Sequence, residues 1–441
     1  MSALNYGLTP KMKPIAPRRS ALVAALDVGS SKIACVIARL RPHAPQQVLT
    51  RRTHAVEVIG LGHAAARGTK AGSVVNLAQA EQAIRRAVDG AERVAGVEIE
   101  SVVLSISAGR LASELFAAEI DMAGSAVSEN EIARVLAAGN RHAMQEGRVL
   151  LHSLPIGYSI DGGNGIRDPR GMLGARFGVD MHVAMTDIAA ARNLMLAVER
   201  CHLNVEAMVA GPYVAGLAVL ADDEADLGAA VVDMGAGTTT IAVFLGGRFM
   251  HSEGFALGGI NVTRDVARGL NAAMADAERI KTLYGSVLLG GSDESDMISV
   301  PTIGEDERDQ AQFVPRSALI EIIRPRVEEI LEMVRDRLNA SSFAAEPRGR
   351  VILTGGASQM TGLSELAARI LGRPVRIGRP LGIAGLPDAA RGPAFAAATG
   401  LLVYPQAAHL EYFEPRRSRR YLMNGTGGYF ARVGQWLRES F

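Results

Sequence analysis

The sequence predicts an α/β fold made of two similar halves. Three observations lead there. Short apolar strands (101–107, 229–233, 351–353) alternate with helical stretches (78–95, 186–201, 317–338, 363–371), the alternation expected of an α/β architecture. Two stretches about 200 residues apart share one layout, ALDVGSSKIACVIARL from Ala25 and VVDMGAGTTTIAVFLGGR from Val231. At 441 residues the chain is also too long for one ordinary core.

Taken in order, residues 1–20 carry Lys11, Lys13, Arg18 and Arg19 without periodicity and read as a disordered basic arm. The apolar run Ala21–Leu26 imitates the start of a secretory signal, but Asp27 ends it too early for one. No run of 18 apolar residues occurs, so no segment is expected to span a bilayer and a cytoplasmic protein is expected. Ser128 followed by Glu131 has the spacing of a capping box that opens a helix at 129–138. Residues 286–313 are acidic and weakly patterned, as in surface loops and short strands. Past Tyr404 the packed pattern stops. Residues 405–427, with prolines, Arg416, Arg417, Arg419, Arg420 and three glycines, read as a flexible linker.

Composition narrows the function. Apolar residues make up 48% and charged residues 21%, which suits a globular chain and excludes a largely disordered one. A formal net charge of +1 argues against a general nucleic-acid binder. Cys35 and Cys201 stand far apart with no C-x-x-C, which excludes a disulfide framework or a cysteine zinc site.

The paired stretches carry the chemistry. In each, an apolar strand ends in an aspartate, Asp27 or Asp233, and a glycine follows two residues later, Gly29 or Gly235. A strand-end carboxylate can hold Mg²⁺ through its water shell, because that ion takes few direct protein ligands. Glycines and small residues let backbone N–H groups approach phosphate oxygens. Ser30, Ser31, Thr238, Thr239 and Thr240 add hydroxyls, Gly237 adds room, and Lys32 adds a cation. One such hairpin is commonplace. Two with matching layout point to a ligand clamped between similar halves.

Two further elements fit that ligand. VILTGGASQMTGL (351–363) runs a strand into Gly355, Gly356 and Ala357, where bare backbone could meet a flat base or ribose. In AERIK (277–281), Glu278 and Lys281 share a helix face, a pair that a surface salt bridge would explain equally well.

The order DVGSSK, VVDMGAGTTT, AERIK, LTGGAS resembles the superfamily of actin, heat-shock chaperones and sugar kinases. There these are the two phosphate motifs, an adenosine-contacting helix and the adenosine motif. The resemblance implies an actin-like ATPase fold, with two duplicated ribonuclease-H-like halves, and ATP with Mg²⁺ as ligands. GPYVAGLAVL (211–220) and GPAFAAATGLLVY (392–404) match its two crossing connecting helices, whose small residues permit close approach at a hinge.

Within the superfamily the chain is most similar to the FtsA family of bacterial cell-division proteins. The stretches that carry this are HSLPIGYSIDGGNGIRDPRGMLGARF (152–177), AVERCHL (197–203), the glycine-rich stretch from Gly258 to Asp265, and RGPAFAAATGLLVY. By that resemblance, residues 21–100 and 181–225 form one half and 226–265 with 345–404 the other. Residues 101–180 form an inserted subdomain that meets later division proteins, and 266–344 an outer subdomain that binds the tubulin-like FtsZ. Arg326 and Glu329 are the candidate FtsZ contacts, although a solvated charged helix face accounts for them too. Chaperones and MreB carry a water-positioning glutamate before the proline of the first connecting helix. Here Gly211 precedes Pro212, so slow hydrolysis is expected at most.

Residues 428–441, GYFARVGQWLRESF, place Phe430, Val433, Leu437 and Phe441 on one stripe at helical spacing, flanked by Trp436. Fourteen helical residues reach only ~21 Å, short of a ~30 Å hydrocarbon core, so such a helix lies in the membrane interface. The competing possibility is a helix packed on its own domain. Together these readings describe a peripheral inner-membrane tether for FtsZ at the division site that binds ATP, Mg²⁺ and anionic lipid and self-associates like actin. The alternative kept beside it is a PilM-type pilus adaptor.

Overall fold

The computed structural model describes residues 9–43, 49–108, 110–301 and 311–411. The expected membrane residues Phe430, Val433, Trp436, Leu437 and Phe441 lie outside them. No described helix is long and apolar enough to cross a membrane.

The first half opens with β1 (Ala21–Val28), β2 (Lys32–Pro42) and β3 (His54–Ala65), an antiparallel meander. A short ribbon, β4 (Thr69–Lys70) and β5 (Ser73–Val74), leads to α1 (Leu77–Ala95) and then β6 (Ser101–Ile106), which lies parallel to β1. The inserted segment follows with β7 (Ala112–Asp121), α2 (Glu129–Ala143), β8 (Arg148–Ile160), β9 (Gly163–Ile166) and β10 (Arg176–Asp187). The chain returns through α3 (Ile188–Glu199), β11 (Asn204–Ala210), α4 (Gly211–Val219) and α5 (Asp222–Leu227).

The second half repeats the plan. β12 (Ala229–Met234), β13 (Thr239–Leu245) and β14 (Arg248–Phe255) form a second antiparallel meander. After them come α6 (Gly259–Gly269), α7 (Met274–Tyr284), the ribbon β15 (Met297–Pro301) with β16 (Ala311–Pro315), and α8 (Arg316–Ala340). β17 (Arg350–Thr354) then runs parallel to β12, followed by α9 (Leu363–Leu371), β18 (Val375–Ile377), β19 (Ile383–Ala384) and α10 (Ala396–Ala407).

Strand order exposes the duplication. One sheet runs β11-β6-β1-β2-β3-β19, and the other contains β18-β17-β12-β13-β14. The second sheet continues through β7-β10-β8-β9, so the inserted strands extend it edge to edge at the single pair Glu253↔Ala112. β3 alternates between buried and partly buried residues from His54 to Gly62, as an outer strand of the meander does. β1, β6 and β12, covered on both faces, read as continuous apolar runs.

Four expected boundaries move. Ser101–Ile106 belongs to the first sheet between β1 and β11, so the insertion begins after Ile106 rather than at residue 101. Its buried apolar run is that of a central strand. The basic arm is packed from Thr9 onward: the Thr9 hydroxyl donates to Leu150 O at 2.9 Å and the Met208 amide to Pro10 O at 3.1 Å. Backbone bonds to distant elements leave no trace in local periodicity. The linker starts later than 405, because α10 runs to Ala407 and a 3₁₀ turn to Leu410. Pro405 stands inside the last turn of α10, where its ring removes the N–H that would bond Leu401 O, and packing on both sides holds the turn in place. Finally, 345–404 does not all stay with the second half. β19 pairs with β3, and Ala398, Leu401, Leu402 and Tyr404 of α10 join a core shared by the two halves.

α4 and α10 cross at Gly400. A Cβ there would lie 1.8 Å from Val214 O, so only glycine permits this approach.

Candidate functional site

The two meanders aim their first turns at one another. Gly29 N donates to Lys32 O at 3.0 Å, and Gly235 N donates to Thr238 O at 2.9 Å, so the two turns have the same closure. They nearly touch: a Cβ on Gly237 would meet Ser30 Oγ at 2.5 Å. The Ser30 hydroxyl accepts from Gly72 N at 2.9 Å, which ties the first turn to the β4–β5 ribbon. Gly259 N and Ile260 N at the start of α6 donate to Gly235 O and Ala236 O at 2.9 and 2.8 Å. Carbonyls that would repel an anion are thereby occupied.

Between the turns lies a cleft of about 850 Å³, within the range of small-ligand sites. Of the residues singled out from sequence, Asp27, Gly29, Ser30, Ser31, Lys32, Asp233, Gly235, Gly237 and Thr238 line it. So do Glu278, Lys281, Gly355, Gly356 and Ala357. Three expected members do not: Thr239, Thr240 and Gly211. Thr239 is buried in β13 and donates its hydroxyl to Leu257 O at 2.8 Å. Gly211 is buried behind Ser107, whose Oγ a Cβ at Gly211 would meet at 2.0 Å, and Ser107 lines the cleft in its place.

Electrostatics at the cleft floor are unbalanced. Burial pushes the Asp233 carboxyl up to about 7, and the neighbouring Asp27 charge adds to that, against the pull of Lys32. Asp27 is also raised by burial, opposed by the Ser105 hydroxyl, which donates to its Oδ1 at 2.5 Å, and by Lys32. Burial brings Lys32 down to about 8, while the two aspartates act to raise it. Its ammonium donates to Ala394 O at 2.7 Å and sits 3.2 Å from the Phe395 ring centroid. Two facing carboxylates against one committed ammonium form a floor that a divalent cation would neutralise.

Gly355 is required by the same geometry. Asp233 pairs with Thr354 across β12 and β17, and the chain then turns at φ +85°. A Cβ at Gly355 would stand 2.2 Å from Asp233 Oδ1 and 2.5 Å from Met234 O. At the far end, Lys281 Nζ donates to Thr263 Oγ1 at 2.8 Å, Glu278 Oε2 at 2.7 Å and Gly259 O at 3.2 Å. The Glu278–Lys281 pair is thus part of the cleft wall and not a free surface bridge.

Sequence reasoning misses Ser105 and Ser107 at the end of β6, Gly72 of the β4–β5 ribbon, Thr263 of α6 and Gln359 beyond β17. The DxG hairpins announce themselves locally; a lone serine at a strand end does not. Arg326 and Glu329 of α8 form an ion pair, and Arg326 also bonds Asp265 of α6 at 2.6 Å. Arg326 therefore joins the two helices as well as facing outward.

Two duplicated halves closing on such a cleft, with an α/β insertion in the first, define an actin-like fold carrying an extra domain. Comparison with known proteins agrees. Residues 230–400 match the family described as cell division protein FtsA, and 108–185 match the SHS2 domain inserted in FtsA. The chain is 51% identical over 437 residues to the cell division protein FtsA of Agrobacterium fabrum (strain C58), covering 99% of this chain and 98% of that one. The counterpart in Escherichia coli (strain K12) is 32% identical over 429 residues, 95% of this chain and 98% of that one. The chain belongs to the FtsA family of cell division proteins. Among solved structures, the PilM–PilN type IV pilus biogenesis complex aligns with TM-score 0.60 at 19% identity, over 87% of this chain and 98% of that one. MreB5 of Spiroplasma citri bound to ADP aligns with TM-score 0.52 at 13% identity, over 89% and 98%. Both share the fold.

Proposed function

We propose that this division protein binds ATP with Mg²⁺ in the cleft and uses the nucleotide to set the relation of its two halves. The observation that carries the proposal is the pair of matching hairpins, with Asp27 and Asp233 facing across one cleft. The phosphates would lie on the amides of Gly29–Ser31 and Gly235–Thr238, with Lys32 nearby. Asp27 and Asp233 would hold the magnesium through water. Gly355, Gly356 and Ala357 would face the base and ribose, with Glu278 and Lys281 beyond. No carboxylate stands at Gly211 to activate water, so hydrolysis would be slow.

On that base, the chain self-associates like actin and tethers FtsZ filaments to the cytoplasmic face of the inner membrane. Residues 428–441 would lie in anionic lipid, with the linker arginines contributing up to ~1 kcal/mol each near that surface. Self-association would multiply weak anchors through avidity. The outer helix α8, with Arg326 and Glu329, would receive FtsZ, and the inserted domain would receive later division proteins. A pilus-adaptor role, the alternative on the same fold, lacks support from the full-length similarity to division proteins.

Vesicle co-sedimentation with ATP tests the tether. The full chain should sediment with anionic vesicles and carry FtsZ, and a chain ending at Tyr421 should do neither. Equal sedimentation of the shortened chain would remove residues 428–441 as the anchor.

A further inference from the structure

A second cavity, of about 420 Å³, opens where the C-terminal ends of α4 and α10 meet β8 and β14. Its lining is largely apolar, including Leu154, Tyr213, Leu220, Phe244, Phe249 and Val403. Such a hollow is too small for a whole helix, whose diameter is ~10–12 Å, but it suits side chains projecting from a helix laid across its mouth.

What stands beside it indicates the occupant. One wall is made by Ala407, His409 and Leu410, among the last described residues, and Leu410 is 50% exposed. The next residue, Glu411, is fixed. Its carboxylate accepts from Lys11 Nζ at 2.7 Å, from His152 Nδ1 at 2.8 Å and from Tyr404 OH at 2.9 Å, and its side chain is fully buried. His152 Nε2 accepts from Ala210 N at 2.8 Å, so the neutral ring carries its proton on Nδ1. The last described residue is therefore anchored directly beside Leu410 of the cavity rim.

Charge at the rim is mixed, since Arg51, Arg52 and Arg248 line the cavity beside Asp222. α5 reads Asp222-Asp223-Glu224-Ala225-Asp226-Leu227 along the same rim, and Asp222 lines the cavity. Arg51 takes part of this charge through its amide bond to Asp222 and its ion pair with Asp226, and Glu224 is paired with Arg350 and Arg376, which leaves Asp223 as the open carboxylate of the helix. Asp223 is exposed. The segment that follows Glu411 holds Arg416, Arg417, Arg419, Arg420, Arg432 and Arg438.

We propose that this cavity receives the apolar stripe of residues 428–441 from the same chain, with Trp436 or a neighbouring phenylalanine as the inserted side chain. Sixteen residues of random coil span ~20–24 Å root-mean-square, ample to return to the rim. Tethering of that kind gives an effective concentration in the ~millimolar range, so a weak contact suffices to close it. Docking keeps the stripe off lipid. This competition rests on the proposed membrane role of the segment, whereas the docking itself does not.

Trp436 is the only tryptophan in the sequence, so its emission reports the contact directly. In lipid-free buffer at sub-micromolar concentration, the full chain should give blue-shifted emission with acrylamide quenching about threefold weaker than for an open segment. Leu410→Glu, a change at a half-exposed position, should restore red-shifted emission and full quenching. A labelled peptide of residues 422–441 should bind the chain ending at Tyr421 about tenfold more tightly than the full chain, where the site is already filled. Emission of a solvent-exposed tryptophan that Leu410→Glu leaves unchanged, together with equal peptide binding, overturns the proposal. A blue shift lost on dilution assigns the cavity to a second copy and overturns the intrachain contact. Vesicle binding without any lipid-free shift would leave the membrane role standing and remove the docking.

Discussion

Replacing Gly400 by alanine would test how the two halves are joined. The Cβ would stand 1.8 Å from Val214 O and 2.5 Å from Val214 C, both backbone atoms of α4. Ordinary contact begins near 3.4 Å, so α4 and α10 would have to separate by about 1.6 Å (3.4 − 1.8). Overpacking that flexible side chains can absorb costs ~1–3 kcal/mol, and two helix backbones yield less readily, so a loss of ~3 kcal/mol or more is expected. Both helices lie in the core shared by the halves, so the cleft should open with them. The assay is denaturant unfolding together with calorimetric ATP binding, with Gly157→Ala as control. A Cβ at Gly157 meets nothing within 4 Å, and that variant should match the parent to within ~0.5 kcal/mol. If Gly400→Ala proves as stable as the control and binds ATP equally, the close crossing is not what joins the halves.

Three further outcomes follow from the site and its surroundings. Asp233 titrates near 7 in the folded chain against an ordinary value of 3.8, so the ligand-free protein gains stability below pH 4 and loses it as pH rises towards 7. A bound cation must displace that proton, so calorimetric Mg·ATP affinity should fall about tenfold per pH unit below 7. Lys281→Ala should weaken adenosine and ATP alike, by about tenfold for a charge-assisted contact, whereas Lys32→Ala should weaken ATP and spare adenosine; equal losses in both variants would contradict the assigned ends of the cleft. Glu411 is held at about 2, against a burial penalty, chiefly by Lys11 and then by His152, so its contribution is present above about 4.5 and lost as pH falls towards 2. Lys11→Ala leaves that carboxylate buried without a counter-ion and should cost ~3–5 kcal/mol in urea unfolding, while the Lys11→Met, Glu411→Leu double variant should cost less.

The parts of the fold written in local pattern are legible in the sequence itself. The capping box at Ser128 and Glu131 opens α2, and both DxG turns close in the same way. Duplication can be read because each hairpin carries its aspartate, glycine and hydroxyls within a few residues. What cannot be read depends on distant chain. Ser105 reaches Asp27 from the end of a neighbouring strand, and Lys11 finds Glu411 across 400 positions. A basic residue in a sparse N-terminal stretch looks solvated until its buried partner is known. Pro405 has the character of a stop, yet Tyr404 and Gln406 beside it are buried, and Pro405 O accepts from Ile15 N at 3.3 Å. Packing of that kind overrides local preference. The 101–106 strand falls to the wrong unit in a sequence reading for a related reason: a buried apolar strand does not say which sheet it joins.

The most direct test of the nucleotide clamp is calorimetric titration of ATP into the full chain, with Mg²⁺ and with EDTA, for the parent and for Asp233→Asn. The expected result is saturable binding of one ATP per chain that weakens at least tenfold when Mg²⁺ is removed or Asp233 loses its charge. No binding to the parent, or equal affinity in all four titrations, would contradict the clamp between Asp27 and Asp233.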